Sequence, residues 1–261
     1  ADLPRLGPGS SRCTYRAFRS ISAHLNHPLI LDAGCGSGSS TRLLARHVDG
    51  IIIALDIHLP LLKELVHRSR EAGVSAQITP VAASMDTLPF KQGIFDLIWC
   101  ECALYTIAFE HGLAYFWHYL RDGGFIVVSE FGWRSSNPPE EARRFWEGEY
   151  PAMQTERKNR AIIAQTGYRL IECFMLPESA WWDEYYRPLR DRVNEVRIMH
   201  AADPGAGGIL DAIEREISIF ERYGASFGYF MYILQKPDED PVESQLEQGC
   251  FHRIFRSPGS F

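Results

Sequence analysis

No stretch of this 261-residue chain approaches the ~20 consecutive apolar residues that a membrane-spanning helix needs. Basic residues are in deficit: 27 Lys and Arg stand against 33 Asp and Glu. The formal charge of -6 argues against a sequence-independent grip on nucleic-acid phosphates, a local basic patch aside. Cysteine is sparse as well. The six thiols (Cys13, Cys35, Cys100, Cys102, Cys173, Cys250) are scattered, which argues against a disulfide framework and fits free thiols in a reducing cytosol. Cys100-Glu101-Cys102 has C-x-C spacing with no second pair and no nearby His, so no metal centre is expected. No Ser-His-Asp arrangement can be assembled from local signatures. Ala1-Asp2-Leu3-Pro4-Arg5 does not read as a signal peptide. These absences predict a cytoplasmic chain that works away from membranes and nucleic acid. Its hydrophobic content of 46% is enough for one good core with an appendage.

What the chain does have is concentrated in Leu29-Ile30-Leu31-Asp32-Ala33-Gly34-Cys35-Gly36-Ser37-Gly38-Ser39-Ser40-Thr41. An apolar run leads into a glycine turn and then a helix start. Glycine permits positive φ and close backbone approach to a ligand, and the first turn of a helix offers free N–H groups. Downstream, Ile51-Ile52-Ile53-Ala54-Leu55-Asp56 is a second apolar strand ending in a carboxylate suited to ribose hydroxyls. Strand, turn, helix and acid together point to an adenosine-containing cofactor.

A dinucleotide fingerprint, G-x-G-x-x-G from Gly34, would require glycine at position 39, where the chain has Ser39. The actual pattern, Asp-x-Gly-x-Gly-x-Gly over Asp32–Gly38, resembles motif I of the class I S-adenosylmethionine-dependent methyltransferases. Four further segments make the resemblance closer, to a group of bacterial small-molecule methyltransferases often labelled ubiquinone/menaquinone-biosynthesis-like. They are Arg5–Ser10, Phe95–Ile107, Phe145-Trp146-x-x-x-Tyr150-Pro151 and Leu176-Pro177-Glu178-x-x-Trp181. That group implies S-adenosyl-L-methionine as cofactor, S-adenosyl-L-homocysteine as product, and a site in which Arg5 or Ser10 contacts ligand. Its label does not imply a quinone substrate.

Helix and strand patterns alternate from residue 29 to 131, the signature of an α/β parallel sheet. Strands are expected at Leu29–Ala33, Ile51–Asp56, Gln77–Ala82, Phe95–Cys100, Phe125–Glu130, Arg169–Leu176 and Tyr229–Gln235. The fold class is therefore a Rossmann-like, seven-stranded, mostly parallel sheet with helices on both faces. Asp122-Gly123-Gly124 is expected to end the helix through Leu113, Phe116, Trp117 and Leu120, and Thr155 to cap one that runs to Gly167. The resemblance implies that the last two strands pair closely, so the residues between them are an insertion. Tyr186, Leu189, Val193 and Val196 fit one helix there, and Leu210, Ile213, Ile217 and Phe220 another, joined by Asp203–Gly208. The expected organisation is an N-terminal segment (1–28) over the cofactor pocket, a cofactor domain (29–176 and 227–236), a helical cap (177–226) and a tail (237–261). The cap could alternatively be the interface of a homodimer.

The expected cofactor-binding residues are Asp32, Gly34, Cys35, Gly36, Ser37, Gly38, Asp56, Ile57, Ser84, Met85, Asp86 and Glu101. In the resembled family, the segment after the third strand sets a polar side chain against the adenine amino group and an apolar one on its ring. Asp86 and Met85 suit those roles, with Ser84 assisting. Glu101 and Tyr105, at the end of the fourth strand, are candidates to orient or deprotonate a methyl acceptor. Against this, Glu101 could simply fix its loop and Tyr105 could pack. Glu130 is similarly situated. The aromatic residues between Trp133 and Tyr186 fit either a substrate pocket or the core beneath the insertion. The function read from this is transfer of a methyl group to a small molecule by direct in-line displacement. A nicotinamide-dependent oxidoreductase and a non-catalytic cofactor-binding or interaction protein are the alternatives.

Overall fold

Parallel strands need a crossover to return to the same edge of a sheet, so alternating strand and helix patterns fold into layers. The computed structural model describes residues 3–199 and 204–238. Its elements are α1 (Ser11–Arg19), β1 (Leu29–Ala33), α2 (Ser39–Ala45), β2 (Ile51–Asp56), α3 (Leu59–Glu71), β3 (Ile78–Ala82), β4 (Phe95–Cys100), α4 (Phe109–Trp117) and β5 (Leu120–Trp133). They continue as α5 (Glu140–Glu149), β6 (Gln154–Thr155), α6 (Glu156–Gln165), β7 (Arg169–Met175), α7 (Ser179–Trp181), α8 (Arg187–Met199), α9 (Pro204–Tyr223) and β8 (Phe227–Gln235). The strand order is β3-β2-β1-β4-β5-β8-β7, with β6 beside β5. Only β8 runs antiparallel, against both β5 and β7. The sheet is Rossmann-like. Its order reverses between β1 and β4, which opens a crevice at the carboxyl ends of those two strands.

Successive residues of a strand face opposite sides, and the core divides accordingly. Ile30, Leu97, Trp99 and Val127 pack with Phe18 of α1 and Leu44 of α2. Leu31, Ile98 and Val128 pack with Leu113 and Phe116 of α4 and Ile163 of α6. A third, aromatic core joins Phe131 and Trp133 at the end of β5 and Phe227 of β8 to Trp146, Trp181, Tyr186 and Phe220. Trp181 stacks on Phe220 at 4.4 Å between ring centroids. Each such ring contributes roughly 1.5–3 kcal/mol on burial, so the inserted helices are anchored to the sheet's carboxyl edge. Trp146, Trp181 and Tyr186 thus take the packing role, while Tyr168 and Phe174 enter the two sheet cores.

Three local expectations are corrected. An eighth strand, β6, is two residues long, too short to leave an alternation pattern. Asp122-Gly123-Gly124 does not end a helix: α4 stops at Trp117 and the three residues lie within β5. There they loop out, since Phe95 pairs with Leu120 but Leu97 with Phe125, and Gly123 takes φ +70°. A glycine pair marks a helix end and a strand irregularity equally well. The expected Asp203–Gly208 connection is already helical from Pro204. Proline suits a first helical turn, and packing of Ile217 and Phe220 further along outweighs the roughly 1 kcal/mol cost per helical glycine. Asp203, His200, Cys250 and the tail beyond Asp238 lie outside the described residues.

Candidate active site

The turn after β1 is stitched to β2: the amides of Gly34 and Cys35 both donate to the Leu55 carbonyl, at 2.8 and 3.0 Å. Gly34, Gly36 and Gly38 all have positive φ. At Gly34 the requirement is double. A Cβ there would lie 2.4 Å from Ala103 Cβ and 2.8 Å from Met85 Cε, so the turn's backbone packs directly against both side chains. Gly38, in the left-handed region, then opens α2.

Asp56 ends β2 with both carboxylate oxygens aimed by backbone donors. Oδ2 accepts from Gly36 N and Oδ1 from His58 N, each at 2.8 Å. Each oxygen keeps a lone pair for a further donor. Asp32 is buried beneath the turn, where Thr41 donates to its Oδ2 at 2.5 Å. Burial pushes its carboxyl up to about 7, the Thr41 hydrogen bond opposing and the charges of Glu101 and Asp56 reinforcing the rise. The Cys35 thiol is likewise pushed up by burial and by both aspartates.

These residues line a cavity of about 470 Å³. Asp32, Gly34, Cys35, Gly36 and Ser37 form its floor with Asp56 and Ile57, and Ser84, Met85, Asp86, Glu101 and Tyr105 close the sides. Gly38 stands just behind, at the helix entrance. Ile57 is exposed. Asp86 is held below the usual carboxylate range by hydrogen bonds from Ser84 and Thr87.

Glu101 is more committed than its sequence position suggests. Arg5 Nη1 donates to its Oε1 at 3.0 Å, and Oε2 accepts from Ser40 Oγ at 2.6 Å and from the Trp99 indole at 3.2 Å. Thr14 Oγ1 stands 3.1 Å from Oε2 and accepts from Arg5 Nη2 at 3.0 Å. Arg5 Nε reaches Glu184 Oε2 at 2.9 Å, and Gly9 N donates to the Ala180 carbonyl at 3.0 Å. One buried guanidinium therefore joins the N-terminal segment, the end of β4 and the inserted helices. Thr14, Ser40 and Glu184 were not legible as site residues, since nothing local marks a partner this distant. Ser10 caps α1 through Cys13 N at 3.2 Å. The segment's other contribution is Leu6, Gly7 and Pro8, which line the cavity. Among the described residues no cluster of His, Cys, Asp and Glu could hold a metal ion.

The methyltransferase-domain family matches residues 30–124, from β1 to the loop within β5. Residues 30–124, a little over a third of the chain, are thus similar to a methyltransferase domain. The match takes in the glycine turn and Asp56. Among curated proteins, the chain is similar to the ubiquinone/menaquinone biosynthesis C-methyltransferase of Wigglesworthia glossinidia brevipalpis. Identity is 30% over 124 residues, or 45% of this chain and 50% of that one. The chain spans half or less of the first curated relatives it matches. A solved S-adenosylmethionine-dependent methyltransferase of Geobacter sulfurreducens, in complex with S-adenosylhomocysteine, shares the fold. The TM-score is 0.75 at 18% identity, covering 87% of this chain and 92% of that one. The [4+2]-cyclase SpnF shares it too, with a TM-score of 0.70 at 15% identity over 90% and 88% of the two chains. Fold alone therefore leaves the reaction to be argued from the site.

Proposed function

We propose that the chain binds S-adenosyl-L-methionine in the 470 Å³ cavity and directs its methyl group to a small-molecule acceptor, releasing S-adenosyl-L-homocysteine. The observation that carries this is Asp56, a buried acid aimed by two amides at the cavity that the glycine turn floors. In this reading Asp56 receives the ribose hydroxyls, the Gly34–Gly38 turn passes beside the amino-acid moiety, Met85 covers the adenine and Asp86 meets its amino group. Asp32 orders the turn through Thr41. The cofactor supplies an already activated methyl on a sulfonium, so the protein's task is alignment and exclusion of water. Glu101 is a positioning residue that holds Arg5, and Tyr105 faces the acceptor. The segment 3–28 and the inserted helices cover the site, supported by the Arg5–Glu184 ion pair and by Leu6–Pro8 in the cavity wall.

A small acceptor fits a chain of net charge -6, which favours neither nucleic acid nor an anionic membrane surface. No described helix is long and apolar enough to cross a membrane. Five described cysteines are free thiols, which supports a reducing, cytoplasmic setting. The exposed faces of α8 and α9 leave room for a homodimer. Calorimetry with S-adenosylmethionine, S-adenosylhomocysteine and NAD tests the reading. Micromolar binding of the first two and none of NAD is expected, and binding of NAD alone overturns it. Acceptor screening with labelled methyl donor then distinguishes turnover from silent binding.

A further inference from the structure

Resting on that methyltransferase reading, we infer that Glu184 of the insertion is a positioning residue for the cofactor. It fixes the N-terminal wall against which the cofactor's amino-acid end binds. Helix α1 has no acid in its first turn, where a helix N-terminus favours negative charge. Glu184 supplies that charge from far along the chain. Its Oε1 accepts from the Ser11 amide at 3.0 Å and its Oε2 from Arg5 Nε at 2.9 Å. One carboxylate therefore holds both ends of the stretch Arg5–Ser11. Glu184 sits in a π-helical turn, Trp182–Tyr186, a geometry that recurs at functional sites. Tyr186, buried, anchors that turn by donating to Glu216 at 2.8 Å.

Between the two ties stand Leu6, Gly7 and Pro8, which line the cavity. They belong to no helix or strand, so their place depends on their flanks. The end of β4 meets them closely. The Cys102 thiol donates to the Pro8 carbonyl at 3.0 Å, and a Cβ at Gly7 would lie 3.1 Å from Cys102 Cβ. Cys102 itself takes φ +57°, a strained backbone for a residue with a side chain, of the kind held where a site fixes the chain.

The strand order β3-β2-β1-β4 tells which part of the cofactor this wall meets. Asp56 ends β2 and Ser84–Asp86 follow β3, so ribose and adenine take that side of the cavity. Arg5, Gly7 and Pro8 meet Glu101 and Cys102 after β4, on the other side of β1. The amino-acid end, which extends beyond the ribose, reaches the wall there. Methylthioadenosine, which has the adenosine and the thioether but no amino-acid end, stops short of it. A wall already held in place costs little further ordering when the ligand binds. A wall released from Glu184 is ordered anew at each binding event. Glu184 stands outside the cavity wall and acts through Arg5 and Ser11, so its loss is felt by one end of the ligand.

The test uses the full chain and its Glu184→Gln and Glu184→Ala variants. Arg197→Ala is the control: it breaks the insertion's exposed ion pairs to Asp211 and Glu214, which do not involve the N-terminal segment. Calorimetry gives the dissociation constants of S-adenosylhomocysteine and methylthioadenosine, at a temperature well below the melting of every variant. If the wild type binds neither, the methyltransferase reading fails and this inference falls with it. The ratio between the two ligands tests the inference alone. Glu184→Ala should weaken S-adenosylhomocysteine about tenfold and methylthioadenosine less than about twofold. Glu184→Gln keeps one acceptor oxygen and should weaken S-adenosylhomocysteine about threefold, and Arg197→Ala should change neither ligand. A merely structural role would weaken both ligands alike or leave both unchanged. Equal weakening of the two, unchanged S-adenosylhomocysteine affinity in Glu184→Ala, or an equal loss in Arg197→Ala would each overturn the inference.

Discussion

The Gly36 amide donates to Asp56 Oδ2 at 2.8 Å, so the glycine turn after β1 and the acid ending β2 brace one another. The turn's shape depends on the acid, and the acid's aim depends on the turn. Because this bracing lies within the chain, it lowers the ordering cost of cofactor binding.

Asp56→Ala should therefore do two things. Cofactor affinity should fall by on the order of 2 kcal/mol or more, through lost charge-assisted hydrogen bonds to the ribose. Stability should fall by about 1 kcal/mol, because the Gly36 and His58 amides lose their acceptor. Calorimetry with S-adenosylhomocysteine and urea titration measure the two effects, and an unchanged dissociation constant would show that Asp56 is not the ribose ligand.

Gly34→Ala and Gly93→Ala form a matched pair. Both glycines have φ near +70°, but a Cβ at Gly93 meets nothing within 4 Å while one at Gly34 strikes Ala103. Gly93→Ala should cost only backbone strain, about 1 kcal/mol, and leave cofactor affinity intact. Gly34→Ala should be the more destabilising and should reduce affinity at least about tenfold. Equal behaviour of the two variants would refute the close approach.

Arg5→Ala leaves Glu101 buried beside Ser40 and Trp99 with no cation. Breaking a buried pair from one side costs about 3 kcal/mol. Thermal melting should register that loss, and limited proteolysis should register loosening of both the N-terminal segment and the inserted helices. Glu184→Gln, altering the more exposed partner, should cost well under half as much. A melting temperature for Arg5→Ala equal to wild type would remove Arg5 from its proposed role.

Stability should also depend on pH in a defined direction. Burial first, with the Tyr150 hydrogen bond opposing, pushes Glu130 up to about 8 from an ordinary 4.5. Across that window the folded protein keeps a proton that the unfolded chain releases, so stability is fullest below the unfolded value and falls as pH rises towards the folded one. Asp32, pushed up to about 7, acts in the same direction. Glu130→Gln should flatten the decline by on the order of 2 kcal/mol. Urea midpoints measured across the range provide the check, and parallel profiles for the two proteins would count against a raised Glu130.

The features legible in the sequence were those carried by near neighbours along the chain. Apolar runs at Leu29–Ala33 and Ile51–Asp56, glycines where φ must be positive, and helical spacing from Leu210 to Phe220 each report a backbone conformation, which depends on a few adjacent residues. Pairing and desolvation depend instead on what the fold brings near. Arg5 meets Glu101 and Glu184 from far along the chain, Tyr150 comes from beyond β5 to meet Glu130, and Thr14 reaches Glu101 from α1. The glycine turn is thus legible in the sequence itself. Which acid is held by a guanidinium and which lies buried with an oxygen to spare was decided only when the strands and inserted helices closed over them, because burial and partnership are properties of the packed chain.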